Sequence, residues 1–355
     1  MLLGIMFASA SNASPLQTLL SSNIKADEQV ILFPTHAYYS QIDKQWVVPI
    51  HGWIHELENQ SGWRAATLTG LAKALGLDAD ISNNALFKQR ARMFLVDNQR
   101  NKALKVEVAG QTVNTTLSLA NGHFTAKVLL EPTKTIKTLN TSLAMPANDP
   151  RKFNGKVFFP TLDGVSVISD IDDTVKISQV LNKKKLLENT FYKPFKIVPG
   201  MEKVYTTWQE KGASFHYVSS SPWQLYPVMQ TFFTKSGLPE GSFHLKTFRI
   251  KDESFLDLFA SPMESKVPTI AGIINKYPKQ TFILVGDSGE KDPEVYAEIF
   301  KRHASQIKHI FIRNVSEQSQ SDNRFQRAFR DIDQKYWTVF TNPQTLLKNP
   351  MLFSQ

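Results

Sequence analysis

Between about Glu28 and Glu131 the apolar residues come in short bursts, VILFP, WVVPIHGWIH, RMFLVD, ALKVEVAG and FTAKVLLE, rich in β-branched and aromatic side chains. Leu104, Val106 and Val108 alternate with charged positions, the period of a strand with one face buried and one wet. The pattern predicts a mostly β, sandwich-like N-terminal domain over 28–145, broken by one helix near Arg64–Leu77. Asn148, Asp149, Pro150, Asn154 and Gly155 then supply the turn formers of a connection, which sets a domain boundary near 150. Beyond it GVSVISD, ASFHYVSS, QTFILVGD and IKHIFIRN are near-continuous apolar runs, with room for a helix between each and the next. Strands buried on both faces have this signature, so an α/β domain over 150–345, with a parallel sheet between helices, is predicted. A further apolar-periodic helix is expected at Ile270–Tyr277, and no internal repeat is found.

The length of 355 residues agrees with two domains. A formal charge of +9 favours an anionic partner, whether phosphate ester, acidic membrane surface or nucleic acid, and without a recognition motif nucleic acid is not expected. Having no cysteine, the chain has no disulfide, thiolate nucleophile or cysteine-ligated zinc. Residues Met1–Ala13 are apolar and end in small residues before Pro15. A signal peptide over 1–14 is expected, and with it a periplasmic or secreted location; the alternative is a cytoplasmic protein at the membrane periphery. No other stretch is apolar for long enough to predict a transmembrane helix.

The chemistry lies at the strand ends. The first parallel run closes in Ser169-Asp170-Ile171-Asp172-Asp173-Thr174, and the ILVG strand closes in Gly286-Asp287-Ser288-Gly289-Glu290-Lys291-Asp292. Ligands bind at this edge of such sheets. Carboxylates crowded there need a cation or proton between them, and a set of hard oxygen donors points to magnesium. Ser219, Ser220 and Ser221 end another strand with hydroxyls and N–H groups suited to a phosphate. Lys266, expected just before the Ile270 helix, is placed to meet a phosphoryl oxygen, with Lys246 and Lys276 as rivals. Helix capping is the competing reading for each acidic turn, and for Asp292, which precedes Pro293, it has equal weight. His51 and His55 have the spacing of a zinc motif, but Gly52 stands where a glutamate is needed and the segment reads as strand, so both are expected to be structural. Tyr38, Tyr39, Trp46 and Trp53 are expected in the core of the β domain.

Asp-x-Asp-x-Thr, a strand-terminal serine, a lysine and Gly-Asp-x-x-x-x-Asp, in that order, resemble the haloacid dehalogenase superfamily of phosphatases. SDIDDTVK, YVSSSPWQLYP, ILVGDSGEKDPEVY and the closing VFTNP resemble, across about 150–345, the catalytic domain of the actin-patch type of phosphatidate phosphatase, related to the lipins. GWIHE and RARMFLVD are similar to its bacterial members. The resemblance implies a Rossmann-like sheet with Asp170 as nucleophile and Asp172 as acid and base. Magnesium would be held by Asp170, the Asp172 carbonyl and Asp287, with Asp292 in support. Ser219 and Lys266 would bind phosphoryl oxygens, Ser220 or Ser221 being able to take the place of Ser219, and Thr174 would orient the nucleophile loop beside the substrate. Phosphatidate is the implied substrate. A soluble phosphate ester, or a silent module that only binds anionic lipid, are the alternatives. The spacings from Asp170 to Ser219 and from Ser221 to Lys266 leave no room for a large cap, so an open mouth is expected. Lys183, Lys184 and Lys185 with Phe191, Tyr192 and Phe195 would form a membrane-docking edge, or else an ordinary solvated face.

Overall fold

The computed structural model describes residues 21–56, 63–132, 136–248, 262–316, 323–348 and 352–353; the expected signal segment lies outside them. The N-terminal part contains strands β1 (Glu28–Phe33), β2 (Thr35–His36), β3 (Tyr38–Ser40), β4 (Gln45–Glu56), β5 (Asp97–Asn98), β6 (Lys105–Val108), β7 (Gln111–Asn114), β8 (His123–Leu130), β9 (Thr138–Leu143) and β10 (Asn154–Phe158). They form two five-stranded sheets. In one, β4 pairs with β1, β3, β5 and β8; the other has the order β2-β10-β9-β6-β7. Val30, Ile50 and Ile54 of the first sheet share a core with Val106, Val108, Leu143 and Val157 of the second, which is why the sequence alternates.

Two details differ from the sequence reading. RMFLVD is not a strand: Arg92–Phe94 is a 3-10 turn after the helix Ala85–Ala91, and β5 is only Asp97–Asn98. Its apolar residues Met93 and Phe94 leave the β core and pack with Phe87 into the core of the C-terminal part. Strand β10 lies beyond the boundary expected near 150, yet pairs with β9 and β2, so the change of architecture follows Phe158.

The C-terminal part is a six-stranded sheet of β11 (Val165–Ser169), β12 (Ser214–Pro222), β13 (Ser242–Lys246), β14 (Thr281–Asp287), β15 (Ile307–Arg313) and β16 (Trp337–Phe340). Its order is β13-β12-β11-β14-β15-β16 and every pair is parallel. Alternate residues serve two cores. Val167, Ile283 and Val285 face one, while Ile168, Phe282 and Leu284 face the other. The chain leaves β11 toward β12 on one side and returns to β14 on the other, and this reversal opens a crevice at the carboxyl ends of β11 and β14.

Two helices, Lys183–Phe191 and Met201–Glu210, join β11 to β12, and Tyr226–Ser236 joins β12 to β13. Among the described residues no separate folded unit covers the crevice. The helix expected at Ile270–Tyr277 runs from Pro262 to Lys276, through Pro268, so Lys266 lies inside it rather than before it. Pro268 reads as a helix start because it has no N–H to donate, but a helix fixed by packing tolerates that missing bond. Phe33, Trp53, Leu71 and Leu75 join the same core as Val167 and Tyr217, so the two parts share one apolar interior. No described helix is long and apolar enough to cross a membrane.

Candidate active site

Strand register brings the two acidic tips together. Ser169 pairs with Val285, and the Asp170 N–H donates to the Val285 carbonyl at 2.9 Å. Asp170 therefore emerges beside Asp287, the last residue of β14. Asp292 opens the helix Asp292–His303 and turns back, its Oδ2 accepting the Asp287 N–H at 3.2 Å. One carboxylate oxygen from each of Asp170, Asp287 and Asp292 lies within 4.8 Å of the others, and all three residues are buried.

The cluster carries more negative charge than it neutralises. Lys266 Nζ reaches Asp170 Oδ1 and Asp292 Oδ1, each at 2.7 Å, and Glu290 Oε2 at 3.1 Å. Burial disfavours its charge, but Asp170, Asp292 and Glu290 together hold its pKa well above the usual range. Thr174 Oγ1 donates to Asp170 Oδ2 at 3.1 Å. Asp287 Oδ1 accepts the N–H groups of Gly289 and Glu290, at 2.6 and 3.2 Å, while its buried Oδ2 has no partner. Burial, then repulsion from neighbouring carboxylates, raises Asp170 and Asp287 well above the ordinary carboxylate range. Hard oxygens, an orphaned Oδ2 and uncompensated charge fit a divalent cation held by Asp170, Asp287 and Asp292.

Asp172 is engaged elsewhere. Its Oδ1 meets Lys176 Nζ and the Ser178 hydroxyl, each at 2.6 Å, and its Oδ2 accepts from Ser219 at 3.1 Å and Ser221 at 2.9 Å. Burial pushes its pKa up, but Lys176 and the hydroxyl donors outweigh it and hold the group at about 2. The Asp172 carboxylate is thus outside the cation cluster, which leaves its backbone carbonyl as the ligand expected of it. Asp173, in the left-handed region at φ 52°, folds the turn by accepting the N–H groups of Ser178, Gln179 and Val180. Ser220 Oγ is buried without a partner.

Residues 165–314 match the family described as "Phosphatidate phosphatase APP1, catalytic domain". An uncharacterised protein of Schizosaccharomyces pombe is 35% identical over 162 residues, 44% of this chain and 26% of that protein. Phosphatidate phosphatase APP1 of Saccharomyces cerevisiae is 31% identical over 216 residues, 59% of this chain and 36% of its own length. Over residues 165–314 the chain is similar to an APP1-type catalytic domain. Its matches thus span well under half the length of either relative. Among solved structures, a Thermotoga maritima protein assigned as a beta-phosphoglucomutase aligns over 52% of this chain and 97% of its own, with 13% identity and a TM-score of 0.30; that likeness carries no argument.

The parallel sheet brings Asp170, Asp172, Thr174, Ser219, Ser221, Lys266, Asp287 and Asp292 to one edge. Asp292 is not the helix cap, a position held by Lys291; both its oxygens are used inside the cluster, and Lys266 is 2% exposed, not solvated. Lys276 stands apart, its Nζ 5.5 Å from the Tyr38 ring centre. His51 bonds His123 at 2.9 Å and His55 lies against Trp53, as structural histidines do. Lys176, Ser178 and Arg313 were not foreseen, and Glu290 is expected only as a member of the second acidic cluster, without a role of its own. Arg313 is the register partner of Asp287 and donates to the Asp173 carbonyl at 2.6 Å. Lys176, the one basic residue of SDIDDTVK, was the available signal.

Proposed function

We propose that this chain is a magnesium-dependent phosphatase of the haloacid dehalogenase type that converts phosphatidate to diacylglycerol, with Asp170 as nucleophile. The observation that carries the reading is the convergence of Asp170, Asp287 and Asp292 around one point, with Lys266 bonded to the attacking carboxylate. The name of the S. cerevisiae relative supports the substrate. Magnesium, held by Asp170, Asp287 and Asp292, supplies the positive charge that lets a carboxylate approach a phosphate dianion.

In this reading an Asp170 oxygen bonds to phosphorus as the bond to the lipid oxygen breaks, giving an aspartyl phosphate and an alkoxide. Thr174 fixes the rotation of the nucleophile, and Lys266 neutralises phosphoryl oxygens beside it. Ser219 and Ser221 form the facing wall and hold Asp172 toward the leaving group. As acid, Asp172 must exchange Lys176 at Oδ1 for a proton, which then passes to the alkoxide. As base, taking a proton from the water that cleaves the acyl phosphate, it needs no exchange, because Lys176 already keeps it ionised.

The test is phosphate release from phosphatidate in detergent micelles, with magnesium and with a chelator, beside Asp170→Asn. Release by the wild type only with magnesium, and a fall of at least about 10³-fold in the variant, are expected. A variant that keeps turnover rejects the covalent step. Faster release from sugar phosphates or nucleotides would assign the site to soluble esters.

A further inference from the structure

The rim of the site carries a turn that local physics disfavours. The helix Lys183–Phe191 opens on three consecutive lysines, with no acidic residue in its first turn, although the positive end of a helix dipole repels cations. Asn182 caps it, accepting the Lys185 N–H at 3.1 Å, so the lysines form the helix start itself. Leu181 precedes the cap, where an apolar residue commonly packs down on the helix's fourth residue. That residue, Leu186, is 6% exposed, but Leu181 is 60% exposed. Lys183, Lys184 and Lys185 are exposed as well. A solvated leucine leading three lysines breaks two local preferences at once, which is a mark of function.

The tip is rigidly joined to the chemistry. Ser178, three residues before Leu181, bonds Asp172, and Asp173 grips the N–H groups of Ser178, Gln179 and Val180. Val180 Cγ2 lies 2.5 Å from where a Cβ on Gly289 would stand, in the turn that carries Asp287 and Glu290. The aromatic residues expected to share this edge do other work. Phe191 is fully buried, Tyr192 packs half-buried against the same core, and the Phe195 ring lies under the Arg90 guanidinium at 3.9 Å. Leu181 is therefore the apolar member. Glu188, on the same helix, is paired with Lys193 at 2.5 Å and within electrostatic reach of Lys184 alone among the three, so the start of the helix stays net positive.

We infer that Leu181 and Lys183–Lys185 form a docking tip that seats the mouth of the active site on an anionic lipid bilayer. Leu181 enters the interfacial layer while the lysines, their stems along the surface, meet lipid phosphates. This deepens the proposed function by naming the surface on which the same site works.

The test uses the full chain and two measurements. Co-sedimentation is read with phosphatidylserine–phosphatidylcholine vesicles, which contain no substrate, and with phosphatidylcholine alone. Turnover is read on para-nitrophenyl phosphate, which needs no membrane. The wild type is expected to sediment with the anionic vesicles and to release them as salt rises. K183Q/K184Q/K185Q and L181S should each weaken this binding, the triple variant at least ten-fold, with soluble turnover unchanged. Equal binding by the triple variant, or no preference of the wild type for anionic vesicles, overturns the tip and leaves the surface to an acidic protein. A chain that binds the vesicles through these residues yet releases no phosphate from phosphatidate keeps the tip and loses the substrate reading.

Discussion

A methyl group on residue 286 would lie 2.4 Å from Asp292 Oδ2 and 2.7 Å from Asp292 Cβ and Tyr296 Cε2. The backbone of β14 passes so close to Asp292 that only glycine lets the carboxylate bond the Asp287 N–H and Lys266 together. Gly286→Ala must therefore push Asp292 outward. The expected cost is about 1–3 kcal/mol of stability, as for other overpacked positions. More telling, the magnesium concentration for half-maximal turnover should rise by about 10–100-fold, the effect of disturbing groups that support metal ligands. Titrating turnover against magnesium in the variant checks this, and an unchanged midpoint would mean that Asp292 has no part in holding the cation.

At the scale of elements, the serine strand is braced from outside its own sheet. Phe33, ending β1, meets Trp223 with ring centres 4.1 Å apart and Tyr226 edge-on at 4.9 Å, while His51 of β4 stands edge-on to Trp223 at 4.9 Å. Trp223 follows Pro222 directly, so the β-rich part presses on the loop that sets Ser219 and Ser221. Phe33→Ala opens a cavity at this junction and should cost about 3–5 kcal/mol, seen as a lower urea midpoint with the same slope. An unaltered midpoint would mean that the two parts pack independently.

These contacts also mark where sequence reading stops. The runs around Val167, Val218, Val285 and Ile312 are legible because strands buried on both faces are apolar throughout. The edge strand β13, SFHLK, is half-exposed toward its end and offers no such run. RMFLVD misleads because Met93 and Phe94 are apolar for the neighbouring core, not for a sheet. The aspartates, serines and Lys266 were legible from ordered motifs. Arg313 enters only through the pairing of β14 with β15, a long-range register that no local pattern encodes.

On the scale of the whole molecule, histidines collect where the β-rich part meets the parallel sheet. His36, His51, His216 and His244 line a cavity of about 350 Å³ there, with Lys276. His123 bonds His51, while Ser242 bridges His216 and His244 at 2.9 Å on either side. Burial lowers His36, His123 and His244 to about 3 and His51 to about 4, and holds His216 well below its ordinary value. These groups bind protons more readily unfolded than folded. Their contribution is complete above the unfolded pKa near 6.5 and is lost as pH falls toward about 3, at up to about 1.4 kcal/mol per pH unit for each.

The carboxylate cluster works in the opposite sense. Asp170 and Asp287, raised in the folded chain, hold protons more tightly folded than unfolded, so without a cation their contribution fades as pH rises through the folded pKa. A cation bound only by the folded chain replaces those protons and adds stability with its concentration. Urea midpoints measured against pH in chelator and in saturating magnesium should therefore converge in acid, where protons fill the cluster, and separate as pH rises. His216→Asn should lessen the fall below pH 6.5 in both curves, because one fewer buried imidazole takes up a proton on unfolding. Curves that stay superimposed at every pH would mean that the cluster holds no magnesium, whereas an unchanged acid limb in the variant would place the proton uptake outside this junction.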